Sequence, residues 1–225
     1  MVVNHLIYAD DLLLFEPSAK GLQTLLDMCY SYGCEHDVQY NAGKSLVMYF
    51  ESRMSNLSKE MTLGGKKLNF ATSCKYLGHV ISNNLSDESD MQAKVRLLYA
   101  KSNMLRQKFH FCSTAVKNKL FTAYFGNIYM CALWVNFRKV NFQQFVVAYN
   151  NSFRILNNLP MRCSASHMFA TANVSSGKCV IRKAIFSLMN RIDMSLNPII
   201  YSIKTSDVYC TSKLRHQWVR DLYNF

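Results

Sequence analysis

Glycine and proline are scarce in this chain of 225 residues, with 8 Gly and 3 Pro against 50% hydrophobic residues. That balance excludes a disordered, collagen-like or linker-dominated polymer and leaves enough apolar material for a sizeable core. Long apolar runs are also missing. No stretch of about 18 consecutive apolar residues occurs, so no membrane-spanning helix is expected. Met1-Val2-Val3-Asn4-His5 lacks a basic segment ahead of an apolar one, so no secretory signal is expected and the compartment expected is intracellular, cytoplasm or nucleus. Paired cysteines are absent too. Cys29, Cys34, Cys74, Cys112, Cys131, Cys163, Cys179 and Cys210 stand singly with no C-x-x-C spacing. They read as reduced thiols, mostly buried as small hydrophobes, and give no zinc-ligand pattern.

Acidic residues are scarce in one part of the chain only. Residues 1–90 carry a net charge of −4 and residues 91–225 a net charge of +16, within a total of +12. Basic helical sequence interleaved with Tyr and Phe suits a phosphate-backbone partner. The plainer readings are a basic face that confers solubility or one that meets an acidic protein.

The pattern along the chain divides the same way. Val2–Tyr8 and Leu12–Phe15 read as strands around the short polar tip Ala9-Asp10-Asp11, which makes a hairpin. Ser18 is a natural cap for a helix over 18–35, where Leu22, Leu25, Leu26, Cys29 and Tyr32 form one apolar face until Gly33 weakens it. A strand is expected near Val38–Tyr40, a turn at Asn41–Lys44 and a strand over Ser45–Phe50. A small hairpin is expected around Gly64-Gly65, and a last strand over Tyr76–Ile81. After the polar loop 83–87 the period changes to 3.6. Helices are expected at 90–109, 113–135, 142–159, 165–172, 178–194, 197–204 and near 211–222. The fold class expected is therefore α+β: residues 1–84 as a partial antiparallel sheet with one packed helix, residues 85–225 as an all-α basic region.

Two consecutive carboxylates at a hairpin tip invite a chemical explanation. Like charges disfavour each other there, and Asn-Gly would turn the chain as well. A divalent cation removes the objection, since Mg²⁺ takes carboxylate oxygens and keeps positions open for phosphates. The bland alternative is a solvated acidic turn.

Further motifs accompany that tip. Ile7-Tyr8-Ala9-Asp10-Asp11-Leu12-Leu13-Leu14-Phe15 resembles the Y-A-D-D catalytic hairpin of the reverse transcriptases of non-LTR (LINE-type) retrotransposons. Pro17–Leu26 is similar to the helix that follows it. Asn41-Ala42-Gly43-Lys44-Ser45 is similar to the next palm motif of that family, an N-x-x-K-S/T turn before a strand, and Lys75-Tyr76-Leu77-Gly78-His79-Val80-Ile81 to its Y-L-G primer grip. The four motifs run in the family's order over residues 4–82. The resemblance implies a palm segment followed by a helical thumb, with an RNA template and DNA primer as partners and Mg²⁺ or Mn²⁺ as cofactor of the parent enzyme, a metal that this fragment is not expected to bind productively. It implies Asp10 as the main metal ligand, Asp11 as the weaker one, and Lys44 as the group near the triphosphate that protonates departing pyrophosphate. Tyr8 and Ala9 would line the primer–nucleotide junction. Gly78 would admit close approach of the primer, with Tyr76 and Leu77 packing beside it. Lys94, Arg96, Lys101, Arg106 and Lys108 of the first thumb helix would meet the duplex backbone, although they do not all share one stripe.

The resemblance also implies what is missing. Family members place another metal-binding Asp and the fingers well before the A-D-D hairpin, whereas nine residues precede Asp10 here. Two carboxylates on one turn do not bracket two metal ions for in-line transfer, so this chain alone is expected to be inactive as a polymerase, with exposed sheet edges. The other readings are a non-catalytic nucleic-acid-binding protein that uses the basic helical part, and a protein-interaction domain with an acidic partner. No His/Asp/Glu constellation supports an endonuclease.

Overall fold

A computed structural model describes residues 3–50 and 60–223. The chain is mixed α+β and mostly helical, 57%. It divides into two compact units, Met1–Cys74 and Lys75–Phe225. Among the described residues no helix is long and apolar enough to cross a membrane.

In the first unit, β1 (His5–Tyr8) and β2 (Asp11–Leu14) form an antiparallel hairpin in which Tyr8 faces Asp11 and Leu6 faces Leu13. Val2, the start of the expected first strand, lies outside the described residues. The two-residue turn is Ala9-Asp10, with Ala9 at φ 52°, the left-handed conformation that tight hairpins require. The Phe15 amide donates to the Asn4 carbonyl at 2.9 Å and closes the open end.

Helix α1 (Ala19–His36) starts where Ser18 Oγ accepts from the Gly21 amide at 3.0 Å. Gly33 does not weaken this helix. It is buried within it, because the chain folds back so closely that a Cβ there would meet the Val38 carbonyl oxygen at 2.5 Å. Asp37, at φ 55°, ends the helix.

The remaining strands of the unit are short: β3 (Leu46–Val47), β4 (Thr62–Leu63), β5 (Lys66–Lys67) and β6 (Asn69–Phe70). β4 and β5 pair antiparallel across Gly64-Gly65, whereas β3 and β6 pair parallel. The expected antiparallel sheet is thus replaced by separate two-stranded ladders, and Val38–Tyr40 carries no strand. What unites them is a small core of Leu26, Ala42, Val47, Met61, Leu63 and Leu68, with Leu14 and Leu22 packed on it. Gln23 docks α1 on β4, giving its Nε2 to the Thr62 carbonyl at 2.9 Å and taking the Thr62 amide at 3.0 Å.

The division between the units falls within β7 (Ser73–Tyr76), which pairs with β8 (His79–Ser82). The expected single strand over Tyr76–Ile81 is instead a hairpin turning at Leu77-Gly78, where φ is 46° and 79°. The second unit begins ten residues ahead of residue 85 because β8 packs on the first helix that follows it, α2 (Glu88–Lys108).

α2 packs along α4 (Lys139–Asn157), whose Phe145, Ala148, Tyr149, Ser152, Phe153 and Leu156 make one buried stripe at helical spacing. α3 (Thr114–Phe125) ends at Phe125, ten residues short of the expected 135, with Gly126 as its cap. Ile128 and Cys131, which continue its apolar period, are buried by an irregular segment and a 3₁₀ turn at Cys131–Leu133. Helices α5 (Ala165–Ala172), α6 (Gly177–Asp193), α7 (Pro198–Lys204), α8 (Asp207–Cys210) and α9 (Lys213–Tyr223) follow. Phe121 stacks on Phe125 and meets Tyr149 and Phe153 edge-on at 5.2 and 4.9 Å. Trp218 of α9 is fully buried and gives its indole N–H to the Ala132 carbonyl, which ties the last helix to the core. Of the eight cysteines only Cys131 is buried, and there burial pushes the thiol up to about 12; the others are exposed or half-buried, contrary to the expectation.

Candidate functional site

The hairpin turn sets the geometry of the aspartates. Asp10 is the second turn residue and Asp11 the first of β2; both are exposed. Among the described residues neither carboxylate has a side-chain hydrogen bond or an ion pair, so no described cation neutralises them. Hard, unpaired oxygen ligands of this kind fit a partly hydrated Mg²⁺ or Mn²⁺. Among the described residues no group of three or more His, Cys, Asp or Glu side chains that could hold a metal ion is formed. The whole of β1 is exposed, with Ile7 at 68% and Tyr8 at 65%, so Tyr8 is a surface ring rather than core. Ala9 supplies the left-handed turn residue.

Lys44 lies in a turn built by Asn41. The Lys44 amide donates to the Asn41 carbonyl and to Asn41 Oδ1, both at 3.1 Å, and Ser45 Oγ donates to the Asn41 carbonyl at 2.9 Å. Buried Ala42 anchors that turn in the same small core that receives Leu14 of the hairpin. The Lys44 side chain is exposed. Hairpin and turn therefore hang on one core, each with its charged group in solvent.

In the second unit the structure joins two groups that the sequence kept apart. Lys94 gives its Nζ to the Gly78 carbonyl at 3.0 Å, lies 3.6 Å from Asp90 Oδ1 and sits 5.8 Å from the centre of the Tyr129 ring. Its side chain is only 12% exposed, so it faces inward. Lys101 Nζ donates to the Tyr124 carbonyl at 3.4 Å. Arg96, Arg106 and Lys108 are exposed and lie on different sides of α2. Tyr76, Leu77 and Gly78 are half-buried, and a Cβ on Gly78 would meet the Tyr129 ring at 3.1 Å.

Asp90 is the group that sequence reasoning missed. Fully buried, it accepts the Val80 amide at 3.1 Å and the Trp134 indole N–H at 2.9 Å, with His79 Nδ1 3.2 Å away. Burial is the largest influence on its carboxyl and pushes it up, yet His79, Trp134 and Val80 together hold it below the ordinary carboxylate range. Nearby Asp87 accepts the Val135 and Asn136 amides, each at 2.7 Å; there burial wins and the carboxyl is pushed up. The signal available was the Asp90/Lys94 pair at i, i+4.

An open cleft of about 640 Å³ lies elsewhere in this unit, lined by Asn150, Phe169, Ser175 and Lys178 among others. None of the candidate catalytic, metal-binding or nucleic-acid-contacting residues lines it.

No family model matches the chain, and neither the curated proteins nor the solved structures contain a match to it.

The charge of the second unit has a simple basis. From Met91 to Ile192 the sequence holds 15 Lys and Arg and no Asp or Glu. The acids just ahead of this stretch meet two of its cations: Lys94 lies 3.6 Å from Asp90 on α2, and Arg138 pairs with Glu88 at 2.6 Å, at the start of the same helix.

Proposed function

We propose that this chain is the C-terminal part of the palm, with the helical thumb, of an RNA-directed DNA polymerase of the non-LTR retrotransposon type, and that by itself it binds template–primer duplex without extending it. The observation that carries this reading is the pair of exposed, unpaired carboxylates at the tip of a two-residue hairpin, accompanied by the Asn41–Lys44 turn and the Tyr76-Leu77-Gly78 turn. Asp10 and Asp11 hold the divalent cation, which when bound supplies Lewis-acid stabilisation of the phosphates. Lys44 places an ammonium for the pyrophosphate. The cationic helices hold the duplex through its phosphates, with the exposed Arg96, Arg106 and Lys108 as contacts.

Manganese titration of the full chain, followed by NMR, tests the hairpin. Signals of Tyr8–Asp11 broaden first, and the effect is lost in Asp10→Asn with Asp11→Asn; broadening spread evenly over the surface acids sinks the reading. Primer extension on a homopolymer template with Mg²⁺ or Mn²⁺ is expected to stay at background. The acid-free stretch alone favours a second reading, a non-catalytic duplex-binding protein, in which the Asp pair can be changed with no effect on metal or duplex.

A further inference from the structure

The three partners of Lys94 differ in what they ask of an ammonium. Asp90 supplies a countercharge from one turn earlier on α2, the Gly78 carbonyl takes a direct hydrogen bond, and the Tyr129 ring covers the remaining side. A cation held in this way has little left to offer a phosphate. The Gly78 carbonyl belongs to a turn whose two residues both have positive φ, a conformation that Leu77, with a branched side chain, adopts at a penalty. The flanking residues are also fastened to α2: the Val80 amide donates to Asp90, and His79 lies between Asp90 at 3.2 Å and Asp87 at 4.0 Å. Trp134 fixes the other Asp90 oxygen from the segment after α3.

We propose that Lys94 is a positioning residue that, anchored by Asp90, holds the Leu77-Gly78 turn in the shape that meets a nucleic-acid backbone, and that it makes no phosphate contact itself. This rests on the duplex-binding reading above. The two roles differ in one measurable way. A phosphate contact lowers the slope of log affinity against log salt by about 0.9 when it is removed, whereas a positioning group changes affinity at constant slope.

Duplex binding by the full chain is measured across a salt series for the wild type, Lys94→Met, Asp90→Asn and Lys108→Ala. Lys94→Met is expected to weaken binding about tenfold, the factor for one charge-assisted hydrogen bond, with the slope unchanged. Asp90→Asn weakens binding likewise, although it frees the Lys94 ammonium. Lys108→Ala lowers the slope. Amide hydrogen exchange at Gly78, His79 and Val80 is faster in Lys94→Met. A slope lowered by about one in Lys94→Met, tighter binding in Asp90→Asn, or wild-type affinity and slope in Lys94→Met overturns the inference and leaves the duplex-binding reading standing. Absence of salt-dependent binding by the wild type overturns that reading instead. Should Asp90→Asn fail to fold, the slope and exchange rates of Lys94→Met decide alone.

Discussion

At Gly78 two constraints meet: a backbone φ of 79° and a Tyr129 ring that a Cβ would approach to 3.1 Å. Gly78→Ala is expected to destabilise the second unit by about 1–2 kcal/mol, the penalty of a left-handed L-residue, read from the urea midpoint. Gly65, also at positive φ but with open space around it, carries the backbone penalty alone. The acid groups nearby give a pH dependence whose sign can be worked out. Asp90 is held below its ordinary value of 3.8 in the folded chain, so its contribution is present above that pH and is lost as pH falls through the lower, folded value. Asp87 is raised, so its protonation favours the folded state and opposes that loss as pH falls toward 4. In Asp90→Asn the acid limb of the stability curve below about pH 4 should therefore be flatter than in the wild type, as denaturant midpoints taken pH by pH will report. A limb unchanged by the substitution would place the acid sensitivity in other carboxylates.

Helix starts and the periodic helices are where sequence and structure agree most closely. Ser18, Ser164, Ser176 and Asn197 each cap a helix with a side-chain oxygen, and α5 spans the expected 165–172. Caps are local, so one residue and its following turn carry the signal. Ser18→Ala should lower the stability of the first unit by about 1 kcal/mol, with faster amide exchange in the first turn of α1 as the readout. What was not legible is non-local. Nothing in Leu46-Val47 or Asn69-Phe70 announces that they pair in parallel, because that pairing closes a long loop. The end of α3 was hidden because Ile128 and Cys131 keep a helical period yet are buried by other geometry. The Leu77-Gly78 turn looks like strand in the sequence because its apolar neighbours outweigh one glycine; only the Lys94 and Tyr129 contacts on Gly78 reveal what holds it. For the site, the hairpin with its two aspartates was legible because turn length and register are encoded within ten residues, whereas the inward orientation of Lys94 depends on Asp90, Gly78 and Tyr129 together.

For the molecule as a whole, the two units differ in how much apolar surface they bury. The first has a core of six buried residues, and its β1 strand is exposed throughout. The second buries a continuous core that includes both tryptophans, Trp134 and Trp218. A unit of this smaller size has little stability in reserve, since the buried fraction falls with chain length. Two unfolding steps follow, and the tryptophans report only the second. Heating or urea is expected to abolish amide protection in α1 and to change far-ultraviolet circular dichroism before tryptophan fluorescence moves. Lys94→Met and Gly78→Ala should shift the fluorescence transition, and Ser18→Ala only the earlier one. Added salt acts on the same division. The second unit carries its excess of cations against their mutual repulsion, so screening should raise the midpoint of the fluorescence step, while the same salt weakens duplex binding. Opposite salt responses of stability and binding in one molecule are what a cationic surface kept for a polyanion requires. A fluorescence midpoint that falls with salt would mean that the cations are already neutralised within the chain.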